Sequence, residues 1–184
     1  MKCMDLDISR NASAPHRGGY VRRNALVGLR QPLHRASAGL WLPAGLYTVV
    51  AVVVVLLSGD IFPFSLPGPL KVVLLPPLLL LYPSLVEELV FRGLLLPRSL
   101  LAASPLRQFG VVTLSSLVFT AYHPLNHFLV GLSDTTLFVH PAFLLIVLAL
   151  GYACGYAYLR TGSLRAPILI HWLTTVVWNL FLGR

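Results

Sequence analysis

Charged residues are scarce in this chain, and carboxylates are the scarcest of all. Only 11% of its 184 residues are Asp, Glu, Lys or Arg, and six of these are acidic. Soluble domains carry about 25% charged residues. Since 57% of the residues are hydrophobic, a soluble fold would leave large apolar surfaces in water. This composition argues strongly against a soluble fold and predicts an integral membrane protein.

Cysteine and the common hydrolase motifs are also rare or missing. Cys3 and Cys154 are the only two cysteines, so neither a disulfide framework nor a cysteine-based metal site is predicted. The sequence contains no GxSxG, HExxH or GxGD motif and no phosphate-binding glycine loop. The usual serine, zinc-dependent and aspartyl hydrolase signatures are therefore absent.

Positive charge is the one kind of charge that is plentiful. The formal net charge is +8, and seven of the 14 Lys and Arg residues lie in residues 1–40. In a soluble protein this excess would suggest nucleic acid. Here the basic residues lie in the tail and at the ends of apolar segments, so anionic lipid headgroups are the expected partners. We predict a basic, largely disordered cytoplasmic tail at 1–40 and a membrane domain at 41–184.

Charge-free stretches recur after Arg35, and a spanning helix needs about 20 mainly apolar residues. The sequence therefore predicts an all-α, polytopic bundle of about five spans. The predicted helices cover residues 42–58, 70–96, 109–131, 138–159 and 166–182. Prolines should kink or break the second and third of these helices. Because loop arginines favour the cytoplasmic side, we expect an N-in, C-out arrangement in the cell membrane.

The second predicted helix contains two adjacent carboxylates, Glu87 and Glu88, followed by Arg92. Charged residues at membrane depth cost about 2.5–3.5 kcal/mol each on insertion scales, and they usually face a bundle interior and mark function. Glu88 and Arg92 are four residues apart and can pair on one helix face. Glu87 points about 100° away from Glu88, so it is free to face a cavity.

These three charges have two structural alternatives. Ser84 to Glu87 matches a capping box that follows Pro83, in which case Glu87 would only cap a helix. Alternatively, the three charges form a solvated helix end at the cytoplasmic interface. The capping box leaves the spacing of Glu88 and Arg92 unexplained.

Two histidines lie on other apolar helices, His123 on the third and His171 on the last. Either one alone is common as a hydrogen-bonded structural residue. Together with a glutamate pair, they supply a general base and hydrogen-bond donors for peptide hydrolysis. They would also supply a two-histidine, one-carboxylate zinc site. The remaining histidines are interpreted as surface or loop residues: His16, His34, His127 and His140.

The glutamate pair with its arginine and the two histidines follow one another along the chain as three short motifs. These motifs resemble those of the CAAX prenyl protease and bacteriocin-processing family, known as CPBP or Abi, which includes the type II CAAX proteases. Glu87 to Arg92 matches its EExxxR motif, and Phe119 to His123 matches its FxxxH motif. His171 begins the third motif, HxxxN. The resemblance covers roughly residues 70–182.

The resemblance also implies the active-site residues: Glu87, Glu88, Arg92, His123, His171 and Thr175. By this resemblance Glu87 activates water, Glu88 and Arg92 support it, and the two histidines complete the site. Thr175 stands where the family has an asparagine, four residues after the last histidine. The oxyanion contact is therefore expected to rest on the Thr175 hydroxyl or on His171 alone.

By the same resemblance, the function is that of an intramembrane endopeptidase acting on a membrane-associated peptide or protein. No cofactor is expected, with zinc held by Glu87, His123 and His171 as the alternative. An inactive membrane partner or immunity-type protein with the same fold is the second interpretation, and a transporter is a weaker third.

Gly151 and Gly155 are interpreted as a contact inside the bundle rather than a dimer face.

We expect the N-terminus and the loop at residues 97–107 to lie on the same, cytoplasmic side, because the loop arginines fall there in the five-span arrangement. A cysteine introduced at Ser104 should then be protected from a membrane-impermeant thiol reagent in intact cells. A cysteine at Ser133 should be labelled. Equal labelling of both positions from outside would contradict the N-in arrangement.

Overall fold

A computed structural model describes residues 19–33, 37–130 and 135–182 of the chain. Within these ranges the regular secondary structure is entirely helical, with no strand. The predicted all-α bundle is therefore confirmed.

The first helix, α1, lies in the tail for which the sequence predicts disorder. It consists of three consecutive helical segments, Gly19–Val21, Arg22–Leu26 and Val27–Arg30. Buried Asn24 joins it to the bundle, because its side chain donates to the Leu96 carbonyl (3.4 Å) and accepts from the Arg98 amide (3.3 Å). This part of the tail therefore differs from the prediction. Residues 1–18 lie outside the described part of the chain.

Five long helices follow, close to their predicted positions. They are α2 (Ser37–Leu57), α3 (Pro69–Leu94), α4 (Pro105–Val130), α5 (Pro141–Thr161) and α6 (Arg165–Val177, continued by π-helical Trp178–Leu182). Short helical turns lie between them at Gly59–Ile61, Arg98–Ala102 and Thr135–Phe138.

Proline explains why α3 is not one straight helix. Tyr82 has extended backbone angles (φ −141°, ψ 126°) directly before Pro83. A residue that precedes proline is pushed out of the helical region, and proline lacks the amide hydrogen that a helix interior needs. The predicted break in this helix is confirmed, and its second half starts again at Pro83.

A tight turn joins α5 to α6 and also holds α1. Gly162 ends α5 with a positive φ of 64°, and its amide donates to the Tyr158 carbonyl. In the next two residues, the Ser163 hydroxyl donates to the Gln31 carbonyl and the Leu164 amide donates to the Gly28 carbonyl. The end of α1 is therefore attached where α5 turns into α6.

Within the described residues, three helices are long and apolar enough to cross a membrane: Gly39–Leu57, Pro69–Leu94 and Pro141–Thr161. Large apolar side chains are exposed along α2 and α3, including Trp41, Leu56 and Leu70. Such faces suit lipid rather than water. The count of five spans and the N-in orientation stay predictions.

Helix α5 is the centre of the bundle and packs against α2, α4 and α6. In the most apolar 18-residue stretch of each helix, 56% is buried for α5, compared with 17% for α2 and 11% for α3. Two glycines allow α4 to approach closely. A Cβ on Gly155 would lie 2.8 Å from Val112, and one on Gly151 would lie 2.9 Å from Ser116. The interpretation of these glycines as an internal contact is confirmed.

Gly155→Ala should lower the melting temperature, because its methyl group would overlap Val112 and overpacking typically costs about 1–3 kcal/mol. Gly110→Ala is the matched control, since nothing lies within 4 Å of a Cβ there. The control should be neutral or slightly stabilising. Thermal unfolding in detergent measures both variants, and equal melting temperatures would contradict the close contact between α4 and α5.

Candidate active site

A buried ion pair lies on the second half of α3. Arg92 Nη1 donates to Glu88 Oε1 at 2.9 Å, and the two side chains are 1% and 0% exposed. The predicted pairing of these residues is confirmed. The alternative of a solvated helix end is wrong, because both charges are enclosed by protein.

Two further helices anchor the Arg92 guanidinium. Nη2 donates to the carbonyl of Gly151 on α5 at 2.9 Å. Cζ lies 4.8 Å from the centre of the Phe119 ring on α4, within cation–π distance. Because Arg92 is held by α4 and α5 as well as by Glu88, the position of the Glu88 carboxylate depends on the packing of three helices.

His171 on α6 binds to the same carboxylate oxygen. Its Nδ1 lies 2.9 Å from Glu88 Oε1, and its side chain is 2% exposed. Since an ionised carboxylate only accepts hydrogen bonds, we assign the proton of the neutral ring to Nδ1. The other ring nitrogen, Nε2, then presents a lone pair on the opposite side of the ring.

Glu87 lies in a different environment from Glu88. Its side chain is 8% exposed, yet it makes no hydrogen bond within the described residues, and its Oε2 is a buried atom without a partner. This oxygen lies 3.8 Å from His171 Nε2, which is beyond direct hydrogen-bond distance. The structure therefore places an unpaired carboxylate next to the free nitrogen of His171.

His123 reaches the same region because α4 continues past Pro124 as far as Val130. Its Nδ1 lies 2.9 Å from the Phe119 carbonyl oxygen, so the neutral ring donates there and leaves Nε2 free. The Phe119 ring contacts both histidines, with centroid distances of 4.8 Å to His123 and 5.7 Å to His171. The two histidines are thus brought together around one aromatic ring.

Thr175 pairs with Ser84 rather than with a group of the charged network. The two hydroxyl oxygens are 3.3 Å apart, and the Thr175 hydroxyl donates to the Trp172 carbonyl at 3.0 Å. Because a hydroxyl has one hydrogen, Thr175 can only accept from Ser84 in this arrangement. The Ser84 hydroxyl bonds to Thr175, and the Glu87 side chain makes no hydrogen bond within the described residues, so the capping-box alternative is wrong.

A zinc ion held by Glu87, His123 and His171 is the alternative suggested by the sequence. Within the described residues, no three His, Cys, Asp or Glu side chains are grouped closely enough to hold a metal ion. The side chains as they stand therefore do not form a metal site. The zinc alternative would require them to move together, and it stays a prediction.

A comparison with known families shows which family the chain belongs to. A family model described as type II CAAX prenyl endopeptidase Rce1-like matches residues 69–177, which is more than half of the chain. The chain belongs to this family. The resemblance seen in the sequence motifs is thereby confirmed. Neither the curated proteins nor the solved structures contain a significant match to the chain.

Membership in the Rce1-like family establishes the class of activity as that of a membrane protease. The expected substrate of such an enzyme is a peptide or a protein. The buried network lies entirely within the matched residues.

Three residues of this Rce1-like site were not assigned a role from the motifs. Phe119 contacts Arg92 and both histidines, Gly151 supplies a carbonyl, and Ser84 binds Thr175. Phe119 could have been found from the sequence, since it lies one helical turn before His123. A backbone carbonyl carries no side-chain signal, so Gly151 could not.

The other histidines lie outside the network. His140 is the residue before α5, and its side chain accepts a hydrogen bond from the Ala142 amide, which caps that helix. Its interpretation as a surface or loop residue is confirmed, since it lies between helical segments. Outside the described residues or side chains lie His16, His34 and His127.

Arg92→Ala and Glu88→Ala should each destabilise the protein strongly, because each leaves the other charge buried without its partner, at a cost of about 3–5 kcal/mol. Arg107→Ala is the matched control, since Arg107 is an exposed arginine. Melting temperatures in detergent measure all three. If Arg92→Ala melts like Arg107→Ala, the ion pair does not contribute to stability.

Thr175→Val should destabilise the protein by about 1–3 kcal/mol, because it removes the acceptor of the fully buried Ser84 hydroxyl. Adding Ser84→Ala should recover much of the lost stability and activity. If Thr175 instead donates to an oxyanion, its loss costs about 2.7–4 kcal/mol of transition-state stabilisation, which Ser84→Ala cannot restore. Turnover and melting temperature of the two single variants and the double variant separate these roles.

Proposed function

We propose that this protein hydrolyses a peptide bond of a membrane-associated peptide or protein, with Glu87 as the general base that activates water. Family membership supports an endopeptidase, and the proposal adds the group that takes the proton. It rests on the contrast between two adjacent glutamates. Glu88 is bound through Oε1 by Arg92 and His171, whereas the buried Glu87 has no hydrogen bond within the described residues.

This contrast is informative because a buried carboxylate without partners is costly. Charged groups inside a membrane protein usually mark function. A general base also needs lone pairs that are free to accept a proton. Both oxygens of Glu87 meet this requirement. Glu88 has only Oε2 without a partner, and its side chain is 0% exposed compared with 8% for Glu87, so Glu87 is the carboxylate that a water can reach.

The two histidines can orient the water and the substrate. Each uses Nδ1 for a bond to the protein and keeps Nε2 available. A water beside Glu87 can donate one hydrogen to the carboxylate and the other to a histidine Nε2. Such a water would be held with its oxygen lone pairs free for attack.

The proposed steps use only these groups. As the water oxygen bonds to the scissile carbonyl carbon, its proton passes to Glu87, and the carbonyl oxygen becomes an oxyanion. His171 takes up a second proton at Nε2 from solvent before the substrate binds, donates it in a hydrogen bond to this oxyanion and keeps it through the step, while Glu88 offsets the positive charge of the ring. The water is then held by Glu87 and His123 Nε2. The proton on Glu87 passes to the leaving nitrogen as the C–N bond breaks. Arg92 acts as a positioning residue through Glu88.

A non-catalytic membrane partner that retains the fold is the second candidate. Thr175 is the observation that favours it, because the family's asparagine would offer amide hydrogens where the Thr175 hydroxyl is already bonded within α6. A protein of this kind would keep the buried network for stability alone. Cleavage by the wild-type protein distinguishes the two candidates.

Glu87→Gln should lower turnover about 10²–10⁴-fold, the usual contribution of a general base. Its melting temperature should not fall, because Glu87 makes no hydrogen bond in the described structure. Glu88→Gln is the matched control on the neighbouring residue, and it should lower the melting temperature as well as turnover. Cleavage of a peptide library in liposomes, combined with thermal unfolding, measures both.

Either of two results would count against this proposal. Wild-type turnover in purified Glu87→Gln would show that another group activates the water. If the wild-type protein cleaves no peptide in the library, the non-catalytic candidate becomes the better one.

A further inference from the structure

A groove between α2 and α6 lies apart from the charged network, none of whose residues lines it. Its volume is about 390 Å³, which is within the range of small-molecule sites, about 300–1,000 Å³. Its walls include Leu40, Ala44, Ala51, Leu169, Leu173 and Val177.

The groove offers almost no hydrogen-bonding groups to a ligand. The hydroxyls of Thr48 and Thr174 lie on its walls, but each donates to a carbonyl of its own helix. A hydrocarbon chain is therefore the chemistry that suits the groove. The groove opens on helices whose outer surfaces are apolar, so such a chain can enter from the bilayer.

Three arginines lie around one end of this groove. A Cβ on Gly39, the residue before Leu40, would lie 3.0 Å from Arg160 Cβ. Arg165 begins α6 one turn before Leu169, and its Nε donates to the Leu29 carbonyl at 2.7 Å. That bond brings the following residue, Arg30, to the same end of the groove.

These arginines have no acidic partner in the described structure. Arg30, Arg160 and Arg165 are exposed. Within the described residues, the side chains of Arg30 and Arg160 make no hydrogen bond or ion pair. The sequence has no acidic residue between Asp7 and Asp60. The end of the groove therefore carries an uncompensated positive charge that fits a phosphate.

We infer that this groove binds an anionic phospholipid, with an acyl chain between α2 and α6 and the phosphate at Arg30, Arg160 and Arg165. A zwitterionic lipid fills the groove, but its headgroup has no net negative charge to neutralise the arginines. A free phosphate neutralises the arginines but leaves the groove unused. Only an anionic phospholipid uses both features.

The test compares phosphatidylglycerol with phosphatidylcholine of the same acyl chains. Both are titrated onto the full-length protein in detergent, and the retained lipid is counted by native mass spectrometry. Phosphatidylglycerol should be retained at a concentration roughly tenfold lower. Arg160→Gln and Arg30→Gln should each weaken its retention about fivefold. Arg107→Gln is the control, because this exposed arginine lies on α4, a helix that contributes no residue to the groove.

A second pair of variants tests the groove itself. Ala51→Phe should fill it and weaken the retention of both lipids. Val49→Phe adds the same ring on an exposed face of α2 that does not line the groove, and it should have no effect. Equal retention of the two lipids, or wild-type retention in Arg160→Gln, would overturn the inference. Displacement of the lipid by inorganic phosphate at similar concentration would also overturn it, because the arginines would then bind the anion without the groove.

Discussion

The arrangement of the site depends on one oxygen atom, Oε1 of Glu88. It accepts hydrogen bonds from Arg92 Nη1 and His171 Nδ1, both at 2.9 Å, and Arg92 extends the network to the Gly151 carbonyl. These bonds tie α3, α5 and α6 together away from water, where unmade polar contacts are most costly. In lipid, the hydrophobic effect contributes little to association between helices. Polar contacts of this kind therefore contribute strongly to the relative positions of the helices.

Helical geometry places two adjacent carboxylates in different environments. A rotation of about 100° per residue directs Glu88 to its partners and leaves Glu87 beside the free nitrogen of His171. The local helix is irregular on both sides of the glutamates, with the break at Tyr82 before them and a π-helical segment at Leu89–Leu94 after them. π-Helical segments occur frequently at functional sites.

The parts of the site that follow from spacing within one helix could be predicted from the sequence. The pairing of Glu88 with Arg92 is one example, and the break before Pro83 is another. Contacts between helices could not be predicted in this way, because they depend on the rotation and depth of each helix. The Ser84–Thr175 bond and the Gly151 contact belong to this group. Helix α1 was missed for a related reason, since Asn24 attaches it to a backbone carbonyl and an amide.

Gly151 has two functions that cannot be separated. Its missing side chain lets α5 approach Ser116 on α4, and its carbonyl holds Arg92. The spacing between two helices is therefore part of the chemistry of the site. In a selection for activity, positions in this contact would tolerate few substitutions even though no substrate touches them. A compound that wedges between α4 and α5 would displace the carbonyl that holds Arg92 without occupying the site.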